Sequence, residues 1–211
     1  MEYRDAYDPI PLEDVHETHG PNDAGMMTHQ FYAFNTIITL QAYADAAQCV
    51  PAFDAARAAS RAFERRLSRT LPHSDISRLN AAAGKRVAVH DDTAELLRAA
   101  IGYEGRFDVT VGSAVRLWNF HEGTVPERAD VERALAHVDW RALRVSEAGE
   151  PGGSWAQLAD PQAAVDVGGI AKGWIADRLS ALLAEHGLDS FVVNLGGNVM
   201  AHGQKPDGSP W

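Results

Sequence analysis

The chain has 211 residues and a mass of 22.9 kDa, with 45% hydrophobic and 23% charged residues. These values are typical of one globular domain or two small ones, and they exclude a fully disordered, collagen-like or coiled-coil protein. No apolar run reaches the roughly 18 residues that a transmembrane helix needs. The single cysteine, Cys49, excludes an intramolecular disulfide and a thiolate zinc cage. The net charge of −10 argues against nucleic acid as the main partner, because that binding needs a basic surface.

Residues 1–30 are predicted to form an acidic, flexible tail or a strap over the surface. They contain three prolines, show no hydrophobic periodicity and carry −6 of the net charge. They lack the apolar core of a secretory signal, and no lipoprotein pattern precedes Cys49, so the expected location is the cytoplasm. His16 and His19 could face a metal from one helical face, but solvated tail histidines are the favoured interpretation.

The first half of the chain gives a strand and two helices. Alternating β-branched residues predict a strand over 31–43. A helix is predicted over 51–67, with Pro51 in its first turn. Its apolar face is formed by residues at three- to four-residue spacing, namely Phe53, Ala56, Ser60, Phe63 and Leu67. A capping box at 92–95 predicts a second helix that ends near Tyr103.

The second half is the more regular. A strand-like segment is predicted at 106–115, a short helix at 127–137 and a loop at 147–154. A strand at 163–169 then runs into two glycines, and a helix follows at 170–187. The segment 188–203 reads as a strand interrupted by Gly196 and Gly197, followed by a turn at 205–208. No strand follows the turn at 205–208 to pair with the strand before it, so one edge of that strand would be unpaired. This indicates that the chain is a truncated copy or that the partner strand comes from elsewhere.

A strand, two glycines and a helix N-terminus can together hold a phosphate, because the glycines allow close backbone approach. The same glycines could equally serve close packing. Asp166 and Asp108 could each contact a ligand or a metal, or could cap a local turn. Lys172 is a phosphate contact or a surface lysine, and Asn194 is a ligand contact or a turn organiser. No GxSxG elbow supports a serine hydrolase.

Four segments, in order, resemble the ApbE family of FAD:protein FMN transferases. They are FERRLSRTLPHSDISRLNAAAG (63–84), GRFDVTVGSAVRLWNF (105–120), AAVDVGGIAKGWIAD (163–177) and FVVNLGGNVMAHGQKPDGSPW (191–211). The resemblance covers roughly residues 31–211, which we expect to form one ApbE-like flavin transferase domain. It implies an α+β fold of mixed sheets with packed helices.

The resemblance also implies a Mg²⁺-dependent reaction in which FMN passes from FAD to a Thr or Ser hydroxyl of an acceptor protein, and AMP leaves. Such a reaction needs phosphate placement, a hard cation and an in-line hydroxyl. Carried over by position, the FAD-contacting residues would be Phe34, Thr70, Arg106, Phe107, Asp108, Asp166 and Lys172. Gly169 would offer its carbonyl to Mg²⁺. No acceptor motif of the D-x-x-[ST]-G-A-[ST] kind occurs here, so the acceptor is expected to be another protein.

The chain departs from the family pattern at several places. Phe34-Asn35-Thr36 stands where Met-Gly-Thr is usual, Thr70 replaces a common aromatic residue, and Val109 replaces a proline. The family's C-terminal portion, which completes its Mg²⁺ site, has no counterpart, and the catalytic side chains are expected there. Two rival functions follow. One is a non-catalytic FAD-binding or scaffolding remnant of the family, and the other is a nucleotide-binding oxidoreductase, which would need a GxGxxG motif that is absent.

Overall fold

The computed structural model describes residues 15–119 and 122–211. Their helices and antiparallel strands form two compact units. The first holds Arg65–Ile170, and the second combines residues 15–64 with Ala171–Trp211. Residues 31–211, which are expected to form one domain, contribute to both units. Both boundaries fall inside helices, so no proline- or glycine-rich linker could have marked them in the sequence.

The second unit contains a five-stranded sheet with the order β1-β2-β3-β7-β8. Its strands are β1 (His16–His19), β2 (Met26–Ala33), β3 (Thr36–Tyr43), β7 (Phe191–Leu195) and β8 (Asn198–His202). Neighbouring strands all pair antiparallel. One face is buried and carries Met27, His29, Phe31, Ala33, Ile38, Leu40, Ala42, Phe191, Val193 and Leu195.

Helices α1 (Ala46–Leu67) and α6 (Gly168–Glu185) supply the rest of this core. Phe53 of α1 stacks on His29 of β2 with ring centroids 5.6 Å apart, and Phe63 meets Trp174 of α6 edge-on at 5.3 Å. The predicted apolar face of α1 is confirmed, since all five of its residues are buried. The helix begins earlier than predicted, however, and Pro51 lies inside it. The helix predicted at 170–187 is confirmed as α6.

The prediction of a flexible tail is wrong for residues 16–30, because β1 and most of β2 lie there and belong to the sheet. Residues 1–14 lie outside the described residues. Along β2, every second residue is buried, which is the alternation of a strand with one face on a core. His16 and His19 lie three apart on a strand, so they point to opposite faces and cannot form the pair considered for a metal.

Two predicted strands are in fact hairpins. The strand predicted at 31–43 is broken by the turn at Phe34 and Asn35, whose φ values of 53° and 58° fit a two-residue type I′ turn. Gly196 and Gly197, with φ values of 61° and 97°, similarly join β7 to β8. A Cβ on Gly196 would lie 2.5 Å from Oγ1 of Thr36, so no larger residue fits there.

The first unit contains a three-stranded antiparallel sheet with the order β4-β6-β5. Its strands are β4 (Val87–Ala88), β5 (Leu143–Val145) and β6 (Trp155–Leu158). Its helices are α2 (Asp75–Ala81), α3 (Asp91–Ile101), α4 (Gly112–Val115) and α5 (Arg128–Leu135), with a 3₁₀ turn at Trp140–Ala142. The buried core includes Ile76, Leu79, Leu96, Leu97, Leu143 and Leu158.

Three local predictions fail in this unit. The capping box at 92–95 is wrong, because α3 starts at Asp91 and His90 caps it by accepting from the Asp92 N–H. Residues 106–115 form turns and α4 rather than a strand. Residues 163–167 form no strand either, and share only one parallel bridge, between Val111 and Ala164. In the last two cases side chains satisfy the backbone groups that a sheet would otherwise pair.

The predicted turn at 205–208 is confirmed by a hydrogen bond from the Gly208 N–H to the Lys205 carbonyl, 2.8 Å long. The Lys205 N–H in turn donates to the Ser209 carbonyl. Trp211 lies against Tyr43 with ring centroids 5.1 Å apart, and its indole N–H donates to the carbonyl of His202. Among the described residues β8 is an edge strand, as expected.

Candidate functional site

The segment that leads into α6 is held by side chains from the first unit. The side chain of Asn80 forms two hydrogen bonds with the backbone of Val165, donating to its carbonyl at 2.9 Å and accepting from its N–H at 2.7 Å. The hydroxyl of Ser113 accepts from the N–H of Ala164 at 2.9 Å. These side-chain hydrogen bonds take the place of the neighbouring strands that a sheet would provide, and they fix the backbone directly before Asp166.

Both carboxylate oxygens of Asp166 have partners in the first unit. Its Oδ1 accepts from the N–H of Gly168 at 2.8 Å, and its Oδ2 lies 3.0 Å from Nε of Arg69. Its side chain is only 18% exposed. The turn-capping alternative considered for Asp166 is therefore realised. The carboxylate also occupies part of the α6 N-terminus, which the sequence indicates as one possible place for a phosphate.

Gly169 lies against the ring of Phe107. A Cβ at residue 169 would be 2.8 Å from Cε2 and 2.9 Å from Cζ of Phe107, closer than real Cβ atoms approach carbon. Phe107 also meets Tyr103 edge-on, with centroids 6.2 Å apart. The second glycine of the pair therefore serves close packing of the ring, which was the alternative left open for it.

Asp108 organises its own loop. Its Oδ1 accepts from the N–H and the hydroxyl of Thr110, at 2.9 and 2.6 Å, and its Oδ2 accepts from the N–H of Trp140 at 2.9 Å. The carboxylate is thus committed to backbone and hydroxyl donors. Arg106, beside it, is exposed, and its Nε donates to the carbonyl of Tyr103.

Thr70 is exposed on a loop that Ser68 shapes. The Ser68 hydroxyl accepts from the N–H groups of Thr70 and Leu71, at 3.2 and 3.1 Å. The Ser68 carbonyl accepts from the hydroxyl of Ser74, the residue that caps α2. The loop that follows α1 is therefore fixed at both ends, and Arg69 and Thr70 lie at its exposed surface.

Phe34 and Lys172 belong to the second unit. The N–H of Phe34 donates to Oε1 of Glu64 at 2.8 Å, while Oε2 of Glu64 accepts from Arg61 at 3.2 Å. Lys172 is half-buried on the first turns of α6 and forms no ion pair within residues 15–119 and 122–211. Asn194 organises a turn, because its side-chain oxygen accepts from the N–H of Gly197.

Within the first unit the structure thus brings Phe107 to Gly169 and Asp166 to Arg69. Sequence reasoning missed Arg69, Asn80 and Glu64 as residues that hold these parts in place. All three lie in the segment 63–84, in which the family resemblance was recognised, and that was the available signal. Their partners are up to 97 residues away in the chain, so spacing alone could not have shown the contacts.

The described residues do not by themselves form a metal site. Among them, no group of three or more His, Cys, Asp or Glu side chains is placed to hold a metal ion. The carbonyl of Gly169 would supply one oxygen, whereas Mg²⁺ prefers six ligands in octahedral geometry.

Among the described residues, none of the helices has the length and apolar character needed to span a membrane.

Comparisons with known proteins agree with this architecture. The model of the ApbE family matches residues 34–211. The FAD:protein FMN transferase of Treponema pallidum (strain Nichols) is 37% identical over 147 residues, which cover 66% of this chain and 41% of that protein. The enzyme of the same name from Rhodobacter capsulatus is 30% identical over 206 residues, covering 93% of this chain and 37% of that protein.

Solved structures show the same fold. The flavin transferase ApbE from Vibrio cholerae superposes with a TM-score of 0.73 at 25% identity, covering 95% of this chain and 63% of that one. The apo flavinyl transferase ApbE of Pseudomonas stutzeri gives 0.72 at 25% identity, covering 96% and 62%. The chain spans about two fifths of the length of the curated relatives it matches. With an α+β architecture and a family match over most of its length, this chain belongs to the ApbE family.

Proposed function

We propose that this chain takes part in transferring FMN from FAD to a Thr or Ser hydroxyl of an acceptor protein. The observation that carries the proposal is the family match over residues 34–211, joined to relatives named FAD:protein FMN transferase. In this reaction the hydroxyl oxygen forms a bond to the FMN phosphorus. The bond from that phosphorus to the bridging oxygen breaks, AMP leaves with that oxygen, and the hydroxyl proton is lost to solvent.

We assign the FAD site to the residues indicated by the family pattern. These are Phe34, Thr70, Arg106, Phe107, Asp108, Asp166 and Lys172. Within the first unit, the fit to FAD is supported by the exposed arginine beside Asp166 and by the ring of Phe107. In the second unit, Lys172 forms no ion pair with the described residues. A diphosphate suits cationic side chains, and an isoalloxazine or adenine ring suits an aromatic neighbour.

The family resemblance also implies that the reaction depends on Mg²⁺, and the described residues do not fit such an ion. Gly169 offers one carbonyl, and no carboxylate cluster accompanies it among the described residues. We therefore assign no step to the metal here. If other residues must complete its site, adding Mg²⁺ to this chain will not tighten FAD binding. A clear enhancement by Mg²⁺ would contradict that expectation.

The transfer reaction is tested by incubating the chain with FAD and a partner protein that carries a Thr or Ser flavinylation motif. Transfer adds one FMN to the partner's intact mass and releases AMP. FAD that stays tightly bound without AMP release or transfer would instead support a non-catalytic FAD-binding role. A chain that neither binds nor cleaves FAD would contradict both functions.

Lys172→Ala tests the cofactor assignment. We expect FAD binding to weaken by about 10- to 100-fold, since a charged hydrogen bond to phosphate is worth about 1.5–3 kcal/mol. Lys205→Ala is the matched control, because Lys205 is also a half-buried lysine of the second unit. FAD titration by flavin fluorescence measures both. Equal affinities of Lys172→Ala and wild-type protein would remove Lys172 from the site.

A further inference from the structure

Arg69 is an exposed arginine held in a fixed orientation. It follows α1 on the loop whose backbone is bonded by Ser68, and its side chain is 37% exposed. Its Nε lies 3.0 Å from Oδ2 of Asp166. Asp166 is itself immobilised, because its Oδ1 accepts from Gly168 and its N–H donates to the carbonyl of Val109.

In this ion pair the nitrogen nearest to the carboxylate is Nε, and a guanidinium carries five N–H groups in all. Within residues 15–119 and 122–211, Arg69 pairs with no carboxylate other than that of Asp166. A planar guanidinium whose Nε is fixed and whose outer edge is exposed is pre-organised to grip two oxygens of a phosphate. Holding the arginine in this way removes much of the side-chain entropy that would otherwise oppose binding.

The carboxylate needs the arginine as well. Asp166 lies directly before α6, and an unpaired carboxylate there would repel a diphosphate. Its Oδ1 also occupies the N–H of Gly168, which is therefore not available to an anion. Among the described residues, the cation that pairs with Asp166 here is Arg69.

We infer that Arg69 contacts a phosphate of FAD, and that Asp166 acts through Arg69 as a positioning residue. This inference rests on the proposed function for the identity of the ligand. The phosphate contact itself rests on the contacts of Arg69 and Asp166. It revises the assignment proposed above, because Asp166 then belongs to the FAD site through Arg69, and Arg69 is added to that site.

The test compares ligands with and without phosphate. FAD, riboflavin and inorganic pyrophosphate are titrated into the wild-type chain, Arg69→Ala, Arg69→Lys and the control Arg128→Ala. Arg128 is a matched control because it belongs to the same unit and its Nε also pairs with a carboxylate, that of Glu132, at 2.8 Å. It also gives the same change in net charge.

We expect Arg69→Ala to weaken FAD binding by about 10- to 100-fold and riboflavin binding by less than about twofold. Arg69→Lys should recover part of the loss, and Arg128→Ala should match wild type. Asp166→Asn should also weaken FAD selectively, but should cause no further loss in the Arg69→Ala background, because both changes remove one arrangement. Equal FAD affinity in Arg69→Ala and wild type, or equal losses for FAD and riboflavin, would overturn the inference.

Pyrophosphate separates this inference from the proposed function. Pyrophosphate binding that depends on Arg69, without any FAD binding, would support the phosphate contact and contradict the FAD assignment. FAD binding that is indifferent to Arg69 would support the assignment and overturn the contact. A wild-type chain that binds neither ligand would contradict both.

Discussion

At the residue scale, two glycines of one helix have opposite roles. Gly169 and Gly173 both lie in the first two turns of α6. A Cβ at 169 would collide with the Phe107 ring at 2.8 Å, whereas for a Cβ at 173 the nearest described atom beyond its chain neighbours and its own helix backbone is Nδ2 of Asn198, at 4.0 Å. Packing therefore requires a glycine at 169 but not at 173.

This contrast gives a paired prediction. Gly169→Ala should lower the free energy of unfolding by about 1–3 kcal/mol, because the added methyl group overpacks the Phe107 contact. Gly173→Ala should raise the free energy of unfolding by up to about 1 kcal/mol, since alanine is the better helix former and has room. Urea unfolding of both variants measures the difference. A Gly169→Ala variant as stable as Gly173→Ala would show that Phe107 gives way without cost.

At the element scale, one carboxylate ties a helix to a hairpin. Glu64, near the end of α1, accepts from the N–H of Phe34 and pairs with Arg61. Both charged side chains are largely buried, at 12% and 9% exposure. The turn that Glu64 binds has two non-glycine residues with positive φ, an arrangement that carries a conformational cost and depends on such support.

Glu64→Ala should lower the free energy of unfolding by about 2–4 kcal/mol, because it removes an acceptor from a backbone N–H and the carboxylate from a buried arginine. Asp54→Ala, also in α1, is the control. Asp54 pairs with Arg57 but is 52% exposed, so its loss should cost less than about 1 kcal/mol. Chemical denaturation compares them, and similar losses in the two variants would show that Glu64 does not support the turn.

At the scale of the whole molecule, the ion pair between His137 and Asp160 makes the free energy of unfolding depend on pH in the acidic range. Nδ1 of His137 lies 2.7 Å from Oδ2 of Asp160 in the first unit. The hydrogen bond with His137, followed by that from the N–H of Gln162, lowers the pKa of Asp160 from its ordinary value. A lowered pKa means that the folded state binds fewer protons than the unfolded state at the same mildly acidic pH.

The contribution of Asp160 is therefore complete above its unfolded pKa of about 3.9 and is lost as the pH falls through the lower, folded pKa. Asp160→Asn should destabilise the protein at pH 6 by up to about 1 kcal/mol, because the pair is partly exposed. It should also flatten the decline in stability below pH 4. Thermal unfolding from pH 3 to pH 6 measures this, and parallel pH profiles of variant and wild type would exclude the pair as a source of acid sensitivity.

The sequence by itself determined the family, the α+β class and the helices with a clear apolar face. Phe53, Ala56 and Phe63 repeat at helical spacing, and a buried face follows from that period wherever the helix docks. The ordered motifs, from the 63–84 segment to the last strand, identify the family because short patterns of glycines, charges and turns persist in order. Loop chemistry such as the 205–208 turn is local and was therefore also predictable.

Only the tertiary structure decided which backbone groups pair with which. The segments at 106–115 and 163–167 look like strands in composition, but Asp108, Asn80 and Ser113 satisfy their backbones instead. The strands at 31–43 and 188–203 proved to be hairpins, because positive φ at the turn residues reverses the chain. The pairing of Arg69 with Asp166 joins residues 97 positions apart. Such contacts depend on where distant segments are placed, and local periodicity carries no information about that placement.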